Sequence, residues 1–392
     1  MMKITNVNAY IDGAFHPATL WIEDGRFQRI VTSGDKPVAA GDSGEAVLDG
    51  QGLRLLPGFI DVHTHGAVGV DVNAADSEGL DKISQFFASK GVTAWNASIV
   101  TDTEENTIRC LRDVAKKTKS GTMGARLLGS HLEGPFISQE YRGSMPAHLL
   151  IEGDTSLLDR YIEASDHTVS YITVAPEVPG VPDLIRRFGK DIPFSLGHSS
   201  ATYETSREAI DDGAVSMTHL FNAMRLFHQH EPAIMGAALE SDCFCEIICD
   251  GRHLVPSTIR MVVKCKSYDR LVAITDSMMA TGFPDGHYRL GVNDIVVEDG
   301  DAKLASNGVR AGSTLTLDRA LKNMVSFTHD PIEKILPIFS TNPARVLRLD
   351  HEMGQLSEGY LADCLLIDED LNVVWTMVGG KIVYRKADMH KE

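Results

Sequence analysis

The sequence predicts an α/β fold: a (β/α)8 TIM barrel of the metal-dependent hydrolase type, with a small β-sandwich domain formed by both chain ends. Three observations carry that prediction. Eight apolar runs of strand length recur along the middle of the chain, each followed by a stretch with helical spacing. Polar side chains collect at or just after the ends of those runs, where a closed parallel barrel keeps its active site. Both chain ends instead read as short strands broken by turns.

Composition allows this architecture and narrows its partners. With 392 residues, 43 % hydrophobic and 23 % charged, the chain can bury a large core and is not disordered. Its net charge of −17 argues against nucleic acid or an anionic membrane as partner, so any anionic ligand must meet a local positive site. The opening MMKITNVNAY has no basic stretch leading into an apolar core, so no signal peptide is expected. No apolar run reaches the roughly 18–20 residues of a membrane span. Six cysteines are too sparse for a disulfide scaffold, and a reducing cytoplasm is expected.

Residues 1–56 contain KITNVNAYI, ATLWIEDGRFQRIV and EAVLDGQGLRLL, rich in β-branched and aromatic residues, with DG and GDSGE as breaks. Residues 356–392 repeat the style in GYLADCLLIDEDLNVVWTMVGGKIVYR, with a GG hairpin signal. Neither end can close a core alone, so the two are expected to pack together. Residues 57–355 hold the barrel. Its runs are GFIDVHTHG, GVTAWNASIV, ARLLGSHLEGPF, VSYITVAPE, PFSLGHSS, VSMTHLFNAM, FCEIICDGRH and RLVAITDSMMA. Fillers such as SEGLDKISQFFASK and TEENTIRCLRDVAKKTK fit amphipathic helices capped by Ser or Thr.

His63 and His65 end the first run, and residues two apart on a strand point to the same side. Alone, such a pair could be one surface and one core histidine. Glu133, His198 and His219 end three further runs, while Glu177, His253 and Asp276 hold comparable positions. Imidazole and carboxylate together suit Zn²⁺ or Fe²⁺. Each group alone could be a hydrogen-bonded core residue, but five converging without a cation would be costly to bury. Asp276, delivered by LVAIT, suits proton transfer, with a helix N-cap as the competing role. Cys243, Cys245 and Cys249 alternate along a buried run and read as small core residues. Asn222 and Ala223 follow His219 at an expected strand-to-helix junction, where free N–H groups make an anion site or an ordinary cap.

With those residues in hand, the chain resembles the amidohydrolase superfamily and, within it, the N-acetylglucosamine-6-phosphate deacetylases. The likeness runs from PGFIDVHTHG through HLEGPF, VAPE, GHS, THLFNAM, DGRH, TD and AGSTLTL to GQLSEGYLADCLLID. It implies a barrel with a β-sandwich, in a homo-oligomer such as a dimer or tetramer. Glu133, His198 and His219 would hold the main divalent cation, with His63 and His65 matching members that bind a second. Asp276 matches the general acid/base. The resemblance further implies substrate contacts from Ser144, Met145, Asn222, Ala223, His230, His253, Arg310, Ala311 and Gly312. Three positions depart from the pattern. His230 stands where many relatives carry an arginine that reaches phosphate across a subunit interface. Arg142-Gly143-Ser144-Met145 replaces K-G-x-H, and Arg310 precedes AGS where an apolar residue is usual.

The expected reaction is therefore hydrolysis of the acetamide of N-acetylglucosamine 6-phosphate, with one or two divalent cations per subunit. A related N-acetylamino sugar, such as N-acetylgalactosamine 6-phosphate or an unphosphorylated one, is the alternative substrate. A non-catalytic scaffold would have no use for the intact His63, His65, Glu133, His198, His219 and Asp276.

Overall fold

All eight apolar runs become strands in the computed structural model, which describes residues 1–32 and 46–387. They are Phe59–Thr64, Val92–Val100, Arg126–Glu133, Val169–Val174, Phe194–Leu196, Ser216–Met217, Phe244–Ile248 and Leu271–Ile274. They pair in parallel and in chain order. The Asp276 N–H donates to the His63 carbonyl (2.9 Å) and the His65 N–H to the Ser277 carbonyl (2.7 Å), bringing the eighth strand back onto the first. Every residue of Val92–Val100 is buried, because helices cover one face and the barrel interior the other. That is why the sequence shows continuous apolar runs here rather than alternation.

The helices form where charge and capping favour them. Glu104–Ser120 is capped by Thr103, with Glu104 and Glu105 in its first turn and Lys117 and Lys119 in its last, all complementary to the helix dipole. Ser77–Ala88 differs from expectation: Asp76, not Ser77, caps it, accepting from the Gly79 N–H. Trp95 ties this helix to the second barrel strand through a 3.1 Å bond to Ser84 Oγ and an edge-on contact with Phe87.

Both ends of the chain join one eight-stranded sheet, in which Cys364–Ile367 runs antiparallel to Arg54–Pro57. Its edge strand Arg26–Thr32 meets a distant loop through the Phe27 N–H and the Tyr360 carbonyl (2.9 Å), so the sheet curls around its own core. Leu20, Phe27, Leu55, Trp375 and Met377 fill that core, giving a sandwich-like domain. The GG hairpin forms between Val373–Val378 and Lys381–Arg385, with Gly379 and Gly380 at φ +53° and +74°, a conformation glycine tolerates best. The turn expected over residues 41–45 lies outside the described residues. Thr376 Oγ1 donating to the Ala88 carbonyl (2.7 Å) and an Arg126–Asp363 ion pair (3.2 Å) fasten this domain to the barrel.

One element was not anticipated. Gly286–Leu290, Asn293–Glu298 and Asp301–Leu304 form an antiparallel sheet between the eighth barrel strand and its helix, Leu317–Thr328. Its apolar face packs with Met145, Met278 and Ala311 in a third core. Asn293 Nδ2 donates to the Ser144 carbonyl (2.9 Å), which ties the sheet to the loop after the third barrel strand. Cys243, Cys245 and Cys249 are buried and unpaired, as expected of small core residues. Among the described residues, no helix is long and apolar enough to cross a membrane.

Candidate active site

The barrel mouth gathers the polar strand ends. His63 lies within the first strand and His65 directly after it, Glu133 ends the third, and His198, His219 and Asp276 each follow a strand by two residues. All six are buried. His198, His219 and Asp276 take φ of +48°, +30° and +49°, left-handed positions costing about 1–3 kcal/mol each. Such turns aim a side chain back over the end of its own strand. Neighbouring bonds hold them: the Ser138 N–H donates to the His198 carbonyl (2.9 Å), and the Ser313 N–H to that of Asp276 (2.7 Å).

Two triads result, His63–His65–Glu133 and Glu133–His198–His219, and in each the donor atoms lie within 4.8 Å of one another. Glu133 is common to both. Its Oε1 is 3.0 Å from His198 Nε2 and 3.3 Å from His219 Nε2, while Oε2 is 3.4 Å from His65 Nε2. Asp276 Oδ1 approaches the same His65 Nε2 at 3.1 Å. Outward bonds settle the tautomers. Nδ1 of His198 meets the Tyr141 carbonyl (3.0 Å), that of His65 the Ser98 carbonyl (3.1 Å), and that of His63 the Glu246 carboxylate (3.1 Å). These acceptors require a proton on each Nδ1, so each Nε2 lone pair faces inward. Yet His63 and His65 bring Nε2 atoms to 3.1 Å, and His198 and His219 to 3.0 Å. At His63 and His65, opposed lone pairs at that distance need a cation or a proton between them, and both triads fit a divalent metal by donor type and number.

The electrostatics agree. Burial alone would depress the His63 imidazole, but the Glu133 and Glu246 carboxylates outweigh it and raise its pKa well above the ordinary value. Burial likewise opposes ionisation of Glu133, and the surrounding imidazoles reverse it, holding the carboxyl well below its usual range.

A cavity of about 430 Å³ opens above this floor. Ser144, Met145, Asn222, Ala223, His253, Arg310, Ala311 and Gly312 all line it. His230 does not; it sits on an exposed loop, where its N–H donates to His228 Nδ1 (3.3 Å). Met145 is buried in the inserted sheet's core, a role that histidine would fill poorly. Arg310 is gripped by Asp301 through Nε (2.8 Å) and Nη2 (3.1 Å), and its Nη1 reaches the Arg252 carbonyl (3.3 Å). His253 Nδ1 is fixed by Asp250 Oδ2 at 2.7 Å.

Two expectations need correction. Asn222 and Ala223 are not at a strand-to-helix junction: the chain turns through left-handed Phe221 (+74°) and Ala223 (+50°), and the next helix is Ala233–Glu240. The Asn222 N–H is consumed by the His219 carbonyl (2.9 Å), leaving only that of Ala223 for a ligand. Glu177 takes no part in the mouth. It accepts from Ser199 Oγ (2.7 Å) and from the N–H (2.5 Å) and Oγ (2.9 Å) of Ser200, pinning the turn after His198. Glu177→Ala should therefore cost about 1–3 kcal/mol in urea unfolding while metal content stays at the wild-type level. Loss of metal would contradict the pinning role.

Glu246, Tyr171 and His131, packed beneath the triads, were missed from the sequence. Glu246 left a signal, as a lone carboxylate inside the apolar run FCEII, where only a bonded charge is tolerated.

The sequence profile of the Amidohydrolase family matches residues 54–383. The chain belongs to that family. This amidohydrolase is 37 % identical over 337 residues to the N-acetylglucosamine-6-phosphate deacetylase of Vibrio furnissii, covering 86 % of this chain and 84 % of the relative. It is 36 % identical over 330 residues to the N-acetylgalactosamine-6-phosphate deacetylase of Escherichia coli O157:H7, covering 84 % and 87 %. The solved N-acetylglucosamine-6-phosphate deacetylase of Pasteurella multocida matches with a TM-score of 0.90 at 27 % identity, covering 97 % and 99 %. Amidohydrolases are metal-dependent, in keeping with the two triads.

Proposed function

We propose that this amidohydrolase cleaves the acetamide of N-acetyl-D-glucosamine 6-phosphate to D-glucosamine 6-phosphate and acetate, a step of amino-sugar breakdown. The observation that carries the reading is one cavity with the Glu133–His198–His219 triad and Asp276 on its floor and two basic side chains, His253 and Arg310, on its wall. A divalent cation held by Glu133, His198 and His219, with His63 and His65 offering a second place, would supply polarisation of the acetyl carbonyl and lower the pKa of a water from 15.7 to about 7. Zn²⁺ or Fe²⁺ suits these donors. Asp276 takes the proton of the attacking water and returns it to the amide nitrogen as the C–N bond breaks, so acetate and the amine leave together.

The other end of the substrate is held by charge. Three of the five guanidinium N–H donors of Arg310 are used by Asp301 and the Arg252 carbonyl, leaving two for phosphate. Burial would raise the Asp301 carboxyl, but hydrogen bonds from Arg310 and Lys303 pull it down to about 2. Asp301 is thus ionised at any working pH, and Arg310 stays in place. Arg310→Ala should raise KM for the phosphorylated sugar about tenfold or more, with kcat little changed and the unphosphorylated sugar unaffected. An unchanged KM would remove Arg310 from phosphate recognition. His230 joins that role only if a partner subunit brings its loop to the mouth. The exposed Leu226 and Phe227 on the same loop support a homo-oligomer, dimer or tetramer. Buried, unpaired cysteines support a cytoplasmic setting.

Cation uptake should release protons. In the stripped protein, carboxylates hold the His63 and His65 protons above the ordinary imidazole range, so a cation must displace them. Affinity for Zn²⁺ therefore falls as pH falls and rises as pH rises, which calorimetry in buffers of different ionisation heat would measure.

The deciding experiment is acetate release from N-acetylglucosamine 6-phosphate, N-acetylgalactosamine 6-phosphate and both unphosphorylated sugars. The glucosamine ester should give the highest kcat/KM. Preference for the galactosamine ester would favour the second reading, which rests on the Escherichia coli relative.

A further inference from the structure

The buried Glu246 touches both triads without belonging to either. Its Oε2 accepts from His63 Nδ1 (3.1 Å) and from the His219 N–H (3.1 Å), and its Oε1 accepts from the Tyr171 hydroxyl (2.7 Å). Three donors converge on it, an imidazole N–H, a backbone N–H and a hydroxyl, so both oxygens serve as acceptors. The His63 ring has no freedom to choose otherwise. His131 packs edge-on against it at 4.5 Å, and the two nitrogens of His131 are taken by Ser98 Oγ (2.8 Å) and Thr173 Oγ1 (2.9 Å).

We infer that Glu246 is a positioning residue for the His63–His65–Glu133 cation: it keeps the His63 proton on Nδ1, turns the Nε2 lone pair into the mouth and adds negative charge behind the ligand. A carboxylate behind a ligating imidazole both fixes its tautomer and raises its basicity, and losing one typically costs about 10–100-fold in metal affinity. The same oxygen meets His219 at the backbone N–H, holding its left-handed turn, while the His219 ring faces Glu133 and His198 through Nε2 and makes no hydrogen bond to Glu246. The effect of Glu246 is therefore selective for the cation at His63. This inference rests on the proposed reading of His63 and His65 as ligands.

The test is Zn²⁺ titration of metal-stripped protein against a chromogenic chelator. Wild type should take up two equivalents. Glu246→Gln is isosteric: its amide oxygen can still accept from His63 and His219, and its NH2 can donate to the Tyr171 oxygen. It should retain one equivalent at wild-type affinity and bind the other about 10–100-fold more weakly. Tyr171→Phe disturbs the same buried cluster but leaves the carboxylate on His63, and it should still bind two equivalents. The inference is overturned if Glu246→Gln titrates like wild type, or if Tyr171→Phe loses the same equivalent. A wild type that takes up no Zn²⁺ at all would instead defeat the reading of the mouth as a metal centre. Should Glu246→Gln not refold after stripping, ¹H–¹⁵N correlation of histidine-labelled, zinc-loaded wild type decides. His63 protonated at Nδ1 upholds the role, and His63 protonated at Nε2 overturns it.

Discussion

Asp276→Asn should keep its metal and lose turnover of N-acetylglucosamine 6-phosphate by a factor of order 10²–10⁴, the range for removing a positioned general acid/base. The substitution conserves shape. The Asp276 backbone, bonded to the His63 carbonyl and the Ser313 N–H, has no reason to move. What disappears is an acceptor that can carry a proton from water to amine. Burial would push the Asp276 carboxyl up, but the His65 hydrogen bond and the nearby imidazoles pull it below its ordinary value. A base with a lowered pKa is ionised throughout the neutral range, so its protonation does not limit the rate there. Steady-state kcat beside metal analysis by mass spectrometry separates the two effects. Turnover within a few-fold of wild type would show that another group moves the proton.

Why Asp276 could be read from the sequence, and Asn222 could not, is a matter of which physical signals residue types carry. A parallel barrel buries its strands on both faces, so LVAIT and the seven other runs stand out, and a polar residue just past such a run has the barrel mouth as its natural place. His63, His65, Glu133, His198, His219 and Asp276 all announced themselves this way. The left-handed turns at Phe221 and Ala223 left no trace, because neither residue type favours positive φ, and the expected helix start fell ten residues short of Ala233. The inserted sheet was legible in principle. Ile295 and Val297 point into its core while Asp294 and Glu298 are exposed, a period of two. It was missed because a barrel pattern calls for a helix after the eighth strand, and that helix arrives only at Leu317–Thr328. Glu246 shows the converse, since a charge inside a buried strand is itself a message that something nearby needs it.

Glu133→Gln and His198→Ala should both abolish most activity, yet they should differ in how much metal they lose. Glu133 serves both triads: Oε1 lies 3.0 to 3.5 Å from the Nε2 atoms of His198, His219 and His63, and Oε2 lies 3.4 Å from that of His65. Replacing it by an amide removes the one carboxylate shared by four imidazoles, so neither triad keeps its charge balance, and both cations should be lost or much weakened. His198 belongs only to the triad with Glu133 and His219. Its removal should empty that position and leave the His63–His65–Glu133 donors intact, so about half the wild-type metal should remain if two cations bind. Mass spectrometric metal counts on the two variants, purified in parallel with wild type, give the comparison. Full occupancy in Glu133→Gln would mean the shared carboxylate is not a ligand. Equal losses in both variants would mean that the two triads bind as one inseparable centre, because a cation held independently by His63 and His65 has no contact with His198 to lose.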